Sequence, residues 1–288
     1  MATLSYHEQK DIENIKKLRE LQKELPSFCS DFFRGIETST STRTRIAYAY
    51  DLKIFFQFLK TANPGTFDNP SHTLTPSDLE KLTVTDLEEY IDYLKCHPSD
   101  TNEDVINTER GLMRKVSSLR SFYSYFFRNE RIEKNPAALV RMPKLHEKEI
   151  IRLEIDEVAK LLDEVEEGDK LTEKQKLYHE RTKVRDLAMM SLLLGTGIRV
   201  SECVGLNIND IDLDTCGARV YRKGGKESVI YFSDEVRDVL ENYLDEREMI
   251  DAVPGNEDAL FLSMQRKRIN VRSVENLVKK YAKLVTPL

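Results

Sequence analysis

Along its 288 residues this chain changes the period of its apolar side chains. Up to Leu206 they recur mainly three and four residues apart. At "ARVYRKGGKESVIYFS", residues 218–233, they alternate around a Lys-Gly-Gly-Lys turn. A helix buries a stripe of period 3.6 and a strand a face of period 2, so one element cannot serve both patterns. The switch predicts helices first and then a β-hairpin, whose glycines suit a tight turn. Helical spacing returns in "SDEVRDVLENYLDERE", with Ser233 as a cap, and in "NVRSVENLVKKYAKLV". Between them "ALFLS" reads as a short strand. The second half is therefore mixed α+β with a small antiparallel sheet.

The first half reads as helical. Residues 8–24 form a highly charged, peripheral helix. "STSTRTRIAYAYDLKIFFQFLK" opens on Ser and Thr caps and brings Ile46, Tyr50, Phe55, Phe58 and Leu59 close to helical spacing. "NPGTFDNPSHTLTPSD" is a loop, and "TVTDLEEYIDYLKC" a short helix with a Thr cap. "NTERGLMRKVSSLRSFYSYFFRNERI" puts Leu112, Val116, Leu119, Phe122, Tyr123 and Phe126 on one side, with Arg114, Lys115 and Arg120 largely off that stripe. "EKNPAALVRMPKLHEKEIIRL" carries two prolines and a basic bias, as a linker does. The expected division is a peripheral N-terminal helix (1–25), a helical bundle (26–142), a linker (143–151) and a second domain (152–288).

Hydrophobic residues at 40% and charged residues at 33% match a soluble globular protein and not a disordered one. The longest apolar run falls short of the roughly 18 residues of a membrane span, and the charged N-terminus has no apolar core of a signal peptide. The cysteines, Cys29, Cys96, Cys203 and Cys216, are scattered, without a CxxC pair or a histidine at ligand spacing. Free thiols in a reducing cytoplasm and no metal site are expected. A P-loop pattern is missing too. Net charge is −6, which argues weakly against nucleic acid. Residues 110–148, however, hold ten basic side chains against Glu130, Glu133 and Glu147. Such a stretch either binds phosphate or is a solvated helix face with a basic linker.

"SLLLGTGIRVSECVGL" is almost wholly apolar around one arginine, Arg199. It follows Gly195-Thr196-Gly197, where the apolar helix should break, and Ser201 is a candidate cap for the helix that restarts. A partly dry, rigid guanidinium at such a junction suits a phosphate or carboxylate. The spacing equally allows a buried structural pair with Glu202, Asp210 or Asp212. Lys223, on the hairpin turn, either reaches the same site or is a solvated turn lysine.

"LLLGTGIRVSECVGLNINDIDL", followed by "RVYRKGGKESVIYF", resembles the box I region and β-hairpin of tyrosine site-specific recombinases, especially the Xer type that resolves chromosome dimers. "TRIAYAYDLKIFFQFL" and "RKVSSLRSFYSYFFRNERIEKNPAALVRMPK" resemble the main DNA-contacting helices and exit linker of that family's core-binding domain, and "TKVRDLAMM" its lead-in to box I. The insert "EEGDKLTEKQKLYHERTKVRD" and the hairpin look nearest to the single-recombinase systems of low-GC Gram-positive bacteria. The resemblance implies a multidomain protein with an all-α, SAM-like core-binding bundle and an α+β catalytic domain. It implies a bacterial, nucleoid-associated enzyme of the cytoplasm that works on duplex DNA with paired half-sites. Such an enzyme self-associates to a dimer or tetramer and needs neither metal nor nucleotide.

Carried over by motif, Arg199 matches the first catalytic arginine and Lys223 the hairpin lysine. Glu202 and Asp210 match supporting positions. Arg43, Thr44, Arg45, Arg114, Lys115 and Arg120 fall on the helices that face DNA. In the family's chemistry a tyrosine hydroxyl attacks the scissile phosphate and forms a 3′-phosphotyrosyl bond, and a 5′-hydroxyl leaves. Arginines hold the non-bridging oxygens as charge builds up, and the lysine is the acid for the leaving oxygen. The family continues with a His-x-x-Arg box and a nucleophilic tyrosine, whereas the sequence stops at "KKYAKLVTPL". None of His7, His72, His97, His146 and His179 lies in the matching region, and Tyr281 precedes it, so Tyr281 is not assigned as nucleophile. The expectation is a C-terminally incomplete catalytic domain that binds DNA without cleaving it. A non-catalytic DNA-binding protein with this fold is the alternative, and a helical interaction scaffold explains the composition but not Arg199.

Overall fold

The computed structural model describes residues 5–98, 103–146, 152–222 and 225–285. It resolves into two compact units, Met1–Glu149 and Ile150–Leu288. Among the described residues no helix is long and apolar enough to cross a membrane.

The first unit is built from α1 (Tyr6–Gln22), α2 (Cys29–Gly35), α3 (Thr42–Ala62), α4 (Pro64–Phe67), α5 (Val84–Lys95) and α6 (Glu109–Arg128). Short polar side chains start the four longer helices, α1, α3, α5 and α6. Ser41 accepts from the Thr44 N–H at the head of α3. Thr83 and Asp86 exchange reciprocal bonds at the head of α5, and Thr108 accepts from the Gly111 N–H at the head of α6. The predicted α6 stripe is buried from Leu112 to Phe126. It meets Phe28, Phe32 and Phe56, with the Phe32 and Phe122 rings edge to face at 5.2 Å. Each such ring removed from water contributes about 2–3 kcal/mol.

Two readings of this half shift. The buried face of α3 runs through Ala49, Leu52, Phe55, Phe56 and Leu59, which leaves Tyr50 exposed under the Lys17 ammonium. In addition, β1 (Cys96–Pro98) and β2 (Asp104–Ile106) pair antiparallel between α5 and α6. Strands of three residues are too short for alternation to be read. The N-terminal helix buries Leu18 and Leu21 in the same core and packs along α3.

The second unit contains α7 (Ile155–Glu167), α8 (Glu173–His179), α9 (Lys183–Thr196) and α10 (Val200–Gly205). Strands β3 (Ile211–Asp212), β4 (Gly217–Tyr221) and β5 (Glu227–Tyr231) follow, then α11 (Asp234–Glu248) and α12 (Val271–Val285). The sheet is antiparallel in the order β3-β4-β5, with Tyr221 opposite Glu227 at the hairpin end. Leu192, Ile198, Val204, Val220, Leu240 and Phe261 share its core. "ALFLS" is not a strand. Ala259, Leu260, Phe261 and Leu262 are all buried, and only single bridges form, from Ala259 to Asn207 and from Leu262 to Arg268. Side chains satisfy its carbonyls where a neighbouring strand would: Arg247 on Ala259, the Tyr243 hydroxyl on Leu260 and Arg185 on Leu262.

All four cysteines are free, and burial pushes the Cys29 and Cys203 thiols up, the latter to about 12.

Candidate functional site

The break in the apolar run is a change of backbone hand. α9 ends on Gly197 at φ 65°, whose N–H donates to the Leu193 carbonyl at 3.0 Å. The left-handed region suits glycine and turns the chain sharply. Arg199 comes next in extended conformation, φ −70° and ψ 146°, and itself occupies the cap position of α10. Ser201 lies exposed in the first turn and is not the cap. The capping bond comes from the third helical residue: Glu202 Oε2 accepts the Arg199 N–H at 3.0 Å, and Oε1 accepts Arg199 Nη1 at 2.8 Å.

Burial is divided unequally within this pair. The Glu202 side chain is 6% exposed and that of Arg199 69%. The arginine is not buried among the leucines, as its neighbours in sequence suggested. Ile198, Cys203, Val204 and Leu206 fill the core, and the guanidinium leaves it for water, where its solvation costs nothing. Burial alone would push the Glu202 carboxyl up. The Arg199 N–H and guanidinium, with the charge of Arg222, outweigh it and hold the acid below the usual carboxylate range.

The far end of α10 is fixed by Arg268, which sequence reading missed. Its Nη1 donates to the Val204 and Leu206 carbonyls, and its Nη2 to Asn207 Oδ1. Asp210 accepts the Asn207 N–H at 2.8 Å. Asp210 thus reaches α10 through Asn207 and Arg268, whereas Glu202 touches Arg199 directly.

Lys223 lies outside the described residues. The turn around it is closed by the Arg222 N–H on the Lys226 carbonyl at 2.7 Å, with Gly225 at φ 74°. Arg222 is a second residue the sequence did not single out. Its charge is one of the influences that lower the Glu202 carboxyl. Tyr281 is fully buried, and burial pushes its hydroxyl well above the ordinary range.

In the first unit the six candidate DNA contacts separate. Arg43 is exposed and has no ion pair among the described residues, and Thr44 is half-buried with its hydroxyl on Ser41. Arg114 is exposed but forked onto Asp51. Three others are engaged internally. Arg45 is buried with Nη1 on Glu37, and Lys115 is buried with Nζ on Asn107 Oδ1. Arg120 donates to the main-chain carbonyls of Ala137, Ala138 and Val140. Lys115 therefore lies on the buried side of α6, and not off the apolar stripe.

Residues 151–286 match the phage integrase family. The tyrosine recombinase XerC of Caldanaerobacter subterraneus subsp. tengcongensis is 35% identical over 269 residues, 90% of this chain and 69% of that protein. The chain belongs to the Xer-type tyrosine recombinases of the phage integrase family. The XerS recombinase of Streptococcus uberis is 31% identical over 93% of this recombinase and 82% of its own length. Solved structures agree in fold. A lambda integrase dimer bound to a core site superposes with a TM-score of 0.57 at 15% identity, covering 90% of this recombinase and 80% of that chain. The XerH recombinase in a pre-cleavage complex gives 0.56 at 16%, covering 84% and 64%.

Proposed function

We propose that this recombinase binds duplex DNA and takes part in site-specific strand exchange, with Arg199 gripping the reacting phosphate. One observation carries the reading: a buried acid at a helix start holds Arg199 by two bonds, one to its main-chain N–H and one to its exposed guanidinium. A guanidinium used only for stability gains most by burying its donors on carbonyls, as Arg247 and Arg268 do. One that is held at its main chain and at one terminal nitrogen, and is otherwise exposed, costs little reorganisation when an oxyanion arrives, which is the requirement for stabilising charge that develops on a phosphate. In this reading Glu202 orients Arg199, Asp210 supports α10 at one remove, and Lys223 donates the proton to the leaving 5′-oxygen.

The helical unit takes the backbone-gripping role, with Arg43 and Thr44 on phosphates. Lambda integrase has been solved as a dimer on a core site and as a tetramer on a Holliday junction. By that likeness this recombinase works as several copies on paired half-sites, in the bacterial cytoplasm and on chromosomal or mobile-element DNA.

The test is a chemical double-mutant cycle. Duplex DNA carrying one neutral methylphosphonate, moved along the bound site, is titrated against wild-type protein and Arg199→Ala. At one phosphate, neutralisation and Arg199→Ala should each weaken binding by about 10- to 100-fold, and together no further. Additive losses at every phosphate would sink the assignment of Arg199.

A further inference from the structure

Asp51 and Arg114 form a second pair in which the acid is hidden and the base shown. The carboxylate on α3 accepts Arg114 Nη1 at 2.5 Å and Nη2 at 2.8 Å from α6. The Asp51 side chain is 3% exposed and that of Arg114 47%. Arg45 and Glu37 form the opposite arrangement, with the arginine 9% and the acid 57% exposed. Arg45 is thereby withdrawn from any ligand, whereas Arg114 is presented. Arg43 and Arg110 are exposed on the same two helices.

The hydrogen bonds to Asp51 use one hydrogen on each terminal nitrogen of Arg114. Nε–H and the adjacent outer N–H remain, side by side, as a second two-donor face. That face is rigid, because its other edge is clamped. It is also nearly neutral, because Asp51 cancels its charge. A phosphate is best met by net charge, such as that of Arg43, because affinity for the backbone comes largely from released counterions. A neutralised fork contributes little there and retains only direction. In the major groove the O6 and N7 of guanine present two adjacent acceptors without net charge, the acceptor pattern that a fixed two-donor face fits.

We propose that Asp51 is a positioning residue that fixes Arg114 as a guanine-reading fork, so that the pair sets sequence preference and adds little general affinity. The proposal rests on the DNA-binding reading above. Asp51→Asn removes the negative charge and turns an amide NH2 toward one of the two Arg114 donors, so it releases the fork.

Wild type, Arg114→Lys and Asp51→Asn are each used to select duplexes from a randomised pool, and the selected and unrelated duplexes are then titrated at two salt concentrations. Lysine keeps the charge and loses the fork. The wild-type motif should contain a G·C position whose preference disappears in both variants. Affinity for the selected duplex should fall by about 5- to 150-fold, the worth of one good two-bond base contact. Affinity for unrelated duplexes should hold in Arg114→Lys and rise in Asp51→Asn, whose salt slope should steepen by about one phosphate contact. If Asp51→Asn fails to melt cooperatively, Arg114→Lys decides, since that side chain lies at the surface. An unchanged motif in Arg114→Lys, or an equal loss on every duplex, overturns the proposal. A wild-type protein that binds no duplex at low salt overturns the DNA-binding reading itself.

Discussion

Glu202 holds Arg199 twice, by its main-chain N–H at 3.0 Å and by its guanidinium at 2.8 Å. The acid thereby starts α10 and aims the arginine with the same two oxygens. In Glu202→Gln one oxygen still accepts the N–H, but an amide NH2 now faces the guanidinium, donor against donor. The variant should lose about 1–3 kcal/mol at neutral pH. The folded-state pKa of Glu202 lies below its ordinary 4.5, so its contribution is fully present above about 4.5 and is lost as pH falls through the folded value. Urea midpoints measured from neutral pH downward should show the gap between wild type and Glu202→Gln closing on the acid side. A gap of constant size would refute this account.

Gly197 makes that geometry reachable. At φ 65° a Cβ meets no neighbour within 4 Å, so any penalty for Gly197→Ala is backbone strain alone. It should be about 1–2 kcal/mol by urea unfolding. Gly65→Ala is the control, with equally open space inside α4 and no left-handed φ. It should be neutral or slightly stabilising. Equal losses in the two variants would show that the left-handed turn carries no special cost.

Much of this was legible in the sequence, and what was not has physical causes. Periodicity reports which residues a helix buries, and the α6 stripe and the β4–β5 hairpin stand where it put them. Caps at Ser41 and Thr83 were readable because their side chains accept locally. Arg199 misled for the same local reason. Any residue can occupy a cap position when the acid three residues on supplies the bonds, so Ser201 looked the better cap. An apolar neighbourhood in sequence also says nothing of which way one long side chain leaves it. Tertiary use of arginine was invisible. Arg120, Arg247 and Arg268 end on main-chain carbonyls set by distant loops, and no spacing rule separates them from Arg43.

Gly35 closes α2 against a ring. A Cβ placed there would stand 2.0 Å from Tyr125 Cε2, and that ring is packed on Phe32 and Phe126 at 5.8 and 5.1 Å. Gly35→Ala should cost about 1–3 kcal/mol through overpacking. In the background of Tyr125→Leu the same change should cost measurably less, because the obstructing ring edge is gone. Thermal melts of the four proteins in this cycle give the coupling. Additivity would mean that the contact with Tyr125 is not the source of the loss.

The basic residues of the first unit should divide by what already occupies them. Arg43 is exposed and without an ion pair among the described residues, so Arg43→Ala should leave stability within about 0.5 kcal/mol. It should weaken duplex binding nearly uniformly across sequences and lower the salt slope by about one contact. Arg120 is committed to three carbonyls of the segment that leaves the bundle. Its removal orphans partly buried acceptors and should cost about 1–3 kcal/mol of stability, with the salt slope of the surviving folded protein unchanged. Arg45 should behave like Arg120, because its guanidinium is buried on Glu37. Urea unfolding and duplex titrations at several salt concentrations, run on the same three variants, separate the two classes. A salt slope that falls in Arg120→Ala would show that this guanidinium leaves its carbonyls to meet DNA.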